Sequence, residues 1–370
     1  MKIALLNDTH FGARNDNPAF VKYFNRFYDE IFFPYIIQHD IKTLIHLGDV
    51  VDRRKFINFN TAHNFQENFW KRLWNLKIDT HIILGNHDTY YKNTNKVNFT
   101  HLIKTFDGEN EPWIYDKPAT VNFDGLDILL LPWICPETEE ESIFEIDNSH
   151  AEVAMGHLEI KGFEMHKGHF QEVGLEMNQF KRFDKVLSGH YHRKSDNGTI
   201  YYLGTQYEIT WSDYQCPKGF HIFDTDTREL TRIPNPLTMF EKIIYNDTKQ
   251  SYANMDITDY KDKHLKVIVE EKTDPNQFGE FIDRLHNEIN THEVNVVEDS
   301  YNINATADST ILDQGEDTLT FLQNYINSLD TELDKIFDEL KEVFKKLVFK
   351  SMIYRDIHMD MVSDKLQESF

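Results

Sequence analysis

Along the first 240 residues the hydrophobic positions gather into short continuous runs, and each run stops at a small polar cluster. Five such junctions recur: KIALLNDTH (2–10), TLIHLGDVVD (43–52), HIILGNHD (81–88), EVAMGHLE (152–159) and KVLSGHYH (185–192). Runs of this length without polar alternation predict strands buried on both faces. Between the first three, apolar residues recur at helical spacing instead, at Phe20, Phe24, Phe27 and Ile31, and at Phe65, Phe69, Leu73 and Leu76. Strand, helix, strand alternation predicts parallel pairing through right-handed crossovers. The polar clusters then lie at the carboxyl ends of neighbouring strands, the edge where open α/β sheets take their ligands.

From residue 113 onward strand-like runs dominate: ATVNF (119–123), LDILLLPWI (126–134), TIYYLG (199–204) and KGFHIFDT (218–225). They predict a second sheet packed on the first, which makes residues 1–235 a layered α/β sandwich. The two prolines of IPNPL (233–237) read as a linker. Residues 236–299 read as a small α+β domain, with strand HLKVIVEE, helix NQFGEFIDRLHNEI and strand EVNVVED in order. A polar stretch at 300–316 reads as a flexible tether. Beyond it, in 317–370, apolar residues at 319, 322, 326, 329, 333, 336, 340, 343 and 347 alternate steps of three and four, a heptad seam. Ser328 and Asp330 are N-cap types that divide the seam into two helices.

Composition narrows the class. The chain has 370 residues and a formal charge of −23, with 25 Lys+Arg against 34 Asp+Glu in residues 1–240 and 14 against 28 in the rest. That balance argues against a broad basic surface for nucleic acid. A phosphate-bearing partner has to be held locally, by metals, by a small basic patch or by another protein. Cys135 and Cys216 are too few for a disulfide framework or a cysteine-ligated zinc site and point to a reducing, cytoplasmic compartment. The N-terminus lacks a signal-peptide pattern. The longest apolar run, 128–135 with Pro132 inside it, is too short to span a bilayer, so no membrane role is expected.

The five clusters together offer Asp8, His10, Asp49, Asn86, His157, His190 and His192: three oxygen donors and four imidazoles, with no thiol. Any one of them alone reads as a turn former or a satisfied core histidine. Their recurrence at five strand ends, three times as His shortly after Gly, is what turn chemistry does not explain. Seven donors exceed one tetrahedral zinc and suit two five- or six-coordinate ions, with Asp49 placed to bridge them. Within Asp8/His10 and His190/His192 one residue separates the donors, so extended backbone would aim both to one face. Arg53, Arg54 and Lys55 follow GDVVD directly and, with Arg14, offer a cationic patch for phosphates; Tyr90, Tyr91 and Lys92 are weaker candidates.

The ordered set D-x-H, G-D-x-x-D, G-N-H-D, G-H and G-H-x-H resembles the calcineurin-like metallophosphoesterase superfamily over roughly residues 1–225. GDVVDR, YYLGTQYEIT and the 264–298 module, with IYDKPATVNFDG, LPWICPET and KGFHIFDTDT, resemble its recombination-nuclease branch, which includes bacterial SbcD and the nuclease subunits of phage recombination endonucleases. The resemblance implies a layered αββα sandwich with a small α+β capping domain and a C-terminal helical tail. It puts Asp8, His10 and His192 on one ion and Asn86, His157 and His190 on the other, with Asp49 bridging. It makes His87 a catalytic, non-ligand histidine near the scissile phosphate, and places Asp52 and Asp88 behind the ligands. Two divalent ions are implied, and the donor set favours Mn²⁺.

The expected activity is metal-dependent phosphodiester hydrolysis, as a DNA exonuclease or endonuclease in recombination and double-strand-break end processing. The implied partners are DNA, an SMC-like ATPase taking up the helices of 317–350, and a second nuclease copy through helices near 18–38 and 59–76. The expected location is the cytoplasm, of the host if phage-encoded. The tail after residue 345 has no counterpart in the branch. The rival readings are a phosphatase acting on phosphoproteins or nucleotides, and a non-catalytic scaffold on the same fold. Seven filled donor positions disfavour the scaffold; the 264–298 module and helical tail disfavour the small-substrate phosphatase.

Overall fold

Strand β1 (Lys2–Leu6) shows how a continuous apolar run is used: Ile3 and Leu5 join one hydrophobic cluster and Ala4 and Leu6 another, on the opposite face. The first cluster lies between two sheets, where Ile45, Leu47, Ile83 and Phe223 from one meet Ile128, Leu130, Val153, Met155 and Leu187 from the other. The second lies beneath helices. A strand covered on both faces has no solvent side, so its sequence shows no alternation. This is a computed structural model that describes residues 1–103, 111–166 and 169–298. The expected tether at 300–316 and helices at 317–370 lie outside the described residues.

The first sheet runs β14 (Leu230–Asn235), β13 (Lys218–Asp224), β1, β2 (Thr43–His46), β3 (Asp79–Ile83), β4 (Trp113–Tyr115), with β1 to β4 parallel. The second runs β11 (Ser195–Asp196), β12 (Ile200–Tyr202), β10 (Lys185–Ser188), β7 (Val153–Gly156), β6 (Leu126–Leu131), β5 (Ala119–Phe123). In it β6, β7, β10 and β12 are parallel. A short hairpin of β8 (Glu164–His166) and β9 (His169–Phe170) stands apart. Not every late strand joins the second sheet: β13 returns to pair antiparallel with β1, and β14 with β13.

Two helical stretches cover the outer face of the first sheet, α1 over 18–38 and α2 over 59–75. Each carries a π-helical turn, Tyr28–Phe32 and Phe65–Trp70 respectively. Their apolar stripes bury Phe20, Phe24, Phe27, Phe65, Phe69 and Leu73, as the spacing predicts. Helix α3 (Glu139–Asn148) covers the second sheet, where Leu129, Ile146, Ala154 and Val186 form a third cluster. The result is the αββα sandwich.

IPNPL is not the linker expected. Ile233, Pro234 and Asn235 belong to β14, an edge strand, and an edge is where a sheet tolerates proline. The chain then enters β15 (Phe240–Asn246), which pairs in parallel with β16 (His264–Glu271) and through it with β17 (Glu293–Val297). Helix α4 (Pro275–Asn287) packs on this small sheet through Phe278, Phe281 and Leu285. Asp274 caps it, its side chain accepting from the amides of Asn276 and Gln277, and Pro275 opens its first turn. Among the described residues no helix is long and apolar enough to cross a membrane.

Candidate metal centre

The five polar clusters emerge at the carboxyl ends of β1, β2 and β3 in one sheet and β7 and β10 in the other, so the site straddles both sheets. The donors do not leave those strands in extended conformation. Asp8, His10, Asp49 and His190 have φ of 48°, 43°, 55° and 86°, in the left-handed region. For residues with a Cβ this costs on the order of 1 kcal/mol or more each. Neighbouring loops hold them there: Asp8 N–H donates to the Gly48 carbonyl (2.9 Å), His10 N–H to the Asp49 carbonyl (3.1 Å), and His190 N–H to the Asp8 carboxylate (3.0 Å). The common face expected of an extended D-x-H is therefore produced by tight turns instead.

The expected donor atoms converge as two groups, and His87 forms a third with His10 and Asp49. His10 Nε2 faces His192 Nε2 at 3.0 Å, with Asp8 Oδ1 4.0 Å from His10 Nε2. Asn86 Oδ1 lies 3.0 Å from His157 Nε2 and 3.1 Å from His190 Nδ1. Asp49 Oδ2 stands between, 3.3 Å from His157 Nε2 and 3.9 Å from His10 Nε2. Ligand bonds of about 2.1 Å at right angles put adjacent donors about 3.0 Å apart, so these spacings fit six-coordinate cations. The His157 tautomer supports the fit. Its Nδ1–H donates to the Leu47 carbonyl at 2.8 Å, so in the neutral ring the lone pair is on Nε2, which faces the cluster.

The glycines of the motifs make room for donors from other motifs. A Cβ on Gly48 would lie 2.5 Å from His157 Nδ1; one on Gly189 would lie 2.7 Å from the Leu47 carbonyl and 3.1 Å from Asp8 Oδ2. A Cβ on Gly85 would collide with the Asp49 carboxylate and amide. The recurrent Gly thus reflects packing of five loops against one another.

Burial and mutual charge set the titration. Burial depresses His10, but the Asp52 hydrogen bond and the charges of Asp49, Asp52 and Asp8 outweigh it and raise it to about 9. The same contest, against Asp49 and Asp8, raises His157 to about 10. Burial, reinforced by His157, takes His190 down to about 3. Asp49 is held well below the usual carboxylate range: burial opposes this, and His157, His87 and His10 overcome it. Burial raises Asp8.

Asp88 ties two of the loops together, accepting from Val50 (2.8 Å), Val51 (3.1 Å) and Gly85 (2.9 Å) amides; burial and then Asp49 push it up to about 7. Asp52 Oδ1 faces His10 Nδ1 at 3.5 Å. His87 is half-buried beside the cluster, its amide donating to Asp49 Oδ1 (2.8 Å) and its Nδ1 to the Asp52 carbonyl (2.5 Å). Sequence reasoning passed over His46, whose Nε2–H donates to Thr9 Oγ1 at 3.0 Å because that hydroxyl donates onward to the Val50 carbonyl. It also passed over Asn7, whose amide reaches Asp8 Oδ2 (2.6 Å) and the Gly204 carbonyl (3.0 Å). Their adjacency to Asp8 and Asp49 was the available signal.

The cationic triplet is not three outward charges. Arg53 is paired with Asp16 (2.5 Å), and Arg54 donates to the Thr89 carbonyl (3.1 Å) and hydroxyl (3.1 Å) and the Tyr91 carbonyl (2.9 Å), with its plane over Trp133. Both brace the loops around the cluster. Lys55 is exposed, and Arg14 is half-buried in a left-handed turn with φ of 55°.

Residues 1–194 match the model of the calcineurin-like phosphoesterases. The chain belongs to that family. Its members use divalent metal ions, and the donor groups described here fit such ions. This phosphoesterase is 33% identical over 330 residues to exonuclease subunit 1 of Enterobacteria phage T4, covering 89% of this chain and 93% of that protein. It is 29% identical over 118 residues to an SbcCD nuclease subunit of Staphylococcus epidermidis, 29% of this chain and 32% of that one. A solved archaeal phosphodiesterase aligns with 64% of this chain and all of its own at 17% identity and a TM-score of 0.33. Together, family and phage relative make the chain a hydrolase of phosphodiester bonds.

Proposed function

We propose that this phosphoesterase is a DNA nuclease that works with two divalent ions, Mn²⁺ in the first place, as one subunit of an ATPase–nuclease complex for DNA recombination and end processing. The observation that carries the reading is the pair of donor groups sharing Asp49, Asp8–His10–His192 on one side and Asn86–His157–His190 on the other. The 33% identity to a phage exonuclease subunit supports DNA as the substrate. When bound, two divalent ions supply Lewis-acid charge to a phosphate and to the attacking water.

The chain's own residues do the rest. His87, with Nδ1 committed to the Asp52 carbonyl, presents its other ring nitrogen to donate a proton to the leaving oxygen. Asp52 orients His10, and Asp88 holds the loops of Asp49 and Asn86 in register. Lys55 and Arg14 are the phosphate contacts, while Arg53 and Arg54 act as braces. An SMC-like ATPase is the partner subunit, bound through the helices expected in 317–370. A second copy docks on α1 and α2, whose Ile37 and Phe59 are 58% and 94% exposed. A cytoplasmic location, of the host for a phage-encoded chain, goes with this reading.

The test is cleavage of end-labelled single- and double-stranded DNA with Mn²⁺, with and without the ATPase, beside Asn86→Ala and His87→Ala. Cleavage that needs metal and is lost in both variants is the expected result. Absence of metal-dependent cleavage in every arm would overturn the proposal.

A further inference from the structure

One stretch of the chain, residues 204–218, backs the Asp8–His10–His192 donor group. Lys218 opens β13 and its side chain is 3% exposed. Its ammonium donates to the His192 carbonyl (3.1 Å), Thr205 Oγ1 (2.6 Å) and Asp213 Oδ1 (2.6 Å). Those are as many acceptors as an ammonium has N–H bonds. The second oxygen of Asp213 accepts from the amides of Ile209 and Thr210, 2.9 Å each, so the anion too is fixed. The Thr205 amide donates to the same His192 carbonyl at 3.1 Å. Two residues on, the Tyr207 hydroxyl donates to the Thr9 carbonyl at 2.7 Å, between Asp8 and His10, and the Gly204 carbonyl accepts from Asn7. Four of these bonds leave residues 204–218, from Lys218 and the Thr205 amide to the His192 carbonyl, from Tyr207 to the Thr9 carbonyl and from Asn7 to the Gly204 carbonyl, and all four end on the backbone or neighbours of Asp8, His10 and His192.

A charge buried this deeply persists because it is paired and fully hydrogen-bonded. His192 sits in a loop without regular secondary structure, so the place of its carbonyl sets the place of its imidazole. We propose that Lys218 is a positioning residue for one ion alone: clamped by Asp213 and Thr205, it fixes His192 and so governs affinity at the Asp8–His10–His192 group, leaving the Asn86–His157–His190 group as it is. The inference rests on the two-ion reading above.

The test uses the full chain with Lys218→Met and Asp213→Asn combined, which removes both charges while an amide oxygen still serves Ile209 and Thr210. Mn²⁺ is titrated calorimetrically and bound Mn²⁺ followed by electron paramagnetic resonance. The wild type binds two ions per chain. The double variant keeps one at unchanged affinity and binds the second about 10–100-fold more weakly, with isolated rather than coupled Mn²⁺ signals at partial occupancy. His192→Ala gives the same pattern and adds nothing to the double variant. Thr205→Val, which leaves the ion pair in place, gives a smaller loss at the same site, and Thr205→Ser restores it. Equal weakening of both ions, or of neither, overturns the proposal. A wild-type chain that binds only one ion overturns the two-ion reading and this inference with it.

Discussion

Gly85→Ala tests whether motif glycines exist to admit donors from other loops. Gly85 has no positive φ, so alanine costs nothing in backbone conformation and the effect is purely steric. The new Cβ would lie 2.9 Å from Asp49 Cγ, and closer still to Asp49 Oδ1 and its amide nitrogen. Restoring ordinary contact at about 3.5 Å requires roughly 1 Å of relative movement between the two loops. Side-chain rotation cannot absorb it, because His87 N–H holds Asp49 Oδ1 at 2.8 Å and Oδ2 faces His157 Nε2 at 3.3 Å. A misplacement of about 1 Å costs on the order of 100-fold in rate, and overpacking costs about 1–3 kcal/mol in stability. Because Asp49 stands between both donor groups, uptake of both ions should fall. The assay is the initial rate of Mn²⁺-supported hydrolysis of an activated aryl phosphodiester and of end-labelled DNA, with a calorimetric Mn²⁺ titration and a thermal melt. Gly279→Ala in α4, where nothing lies within 4 Å of the added Cβ, is the control. Wild-type rates with two ions bound in Gly85→Ala would refute the steric argument.

Three further outcomes are expected. His10 and His157 titrate near 9 and 10 without metal and must be neutral to bind it, so Mn²⁺ uptake at pH 7.5 releases protons and tightens as pH rises toward 10; calorimetry in buffers of differing ionisation enthalpy counts them, and a count of zero contradicts the assignment. For metal-free protein the same raised values stabilise the fold fully below the unfolded value of 6.5, and that contribution fades as pH climbs through 9 to 10. His87→Ala should lower kcat about 10²–10⁴-fold while Mn²⁺ binding and the melting temperature hold, since its amide, kept in alanine, makes the hydrogen bond to Asp49 and its ring bonds the Asp52 carbonyl instead; loss of an ion instead would make it a ligand, the ring lying within reach of His10 and Asp49. Asp88→Asn turns an amide N–H₂ toward one of the three backbone donors it now satisfies and should cost about 1–3 kcal/mol in denaturant unfolding; an unchanged midpoint would remove its role as a tie.

The sandwich was legible, and the side chains that converge could be picked out as candidates, because their signals are local. A continuous apolar run such as 82–84, followed by Gly and Asn, records burial on both faces and an abrupt stop within a few residues. The helical stripes of α1 and α2 repeat every three or four. Where the sequence misled, the signal was local and the cause was not. IPNPL reads as a linker until β13 supplies a partner for it. Arg53 and Arg54 read as free cations until Asp16 and Thr89 are brought beside them.

By itself the sequence determined which residues can be strands and helices and which seven side chains have the chemistry to hold cations, since residue type and spacing carry both. The tertiary structure alone decided that β13 and β14 return to the first sheet, that four donors adopt left-handed backbone, and that Lys218, Tyr207, Asn7 and His46 stand behind them. Those facts depend on pairs such as Tyr207 with Thr9, or Asn7 with Gly204, separated by nearly 200 residues. A strained turn or a buried ammonium survives only where remote parts of the chain supply its partners, and spacing along one strand cannot show which partners those are.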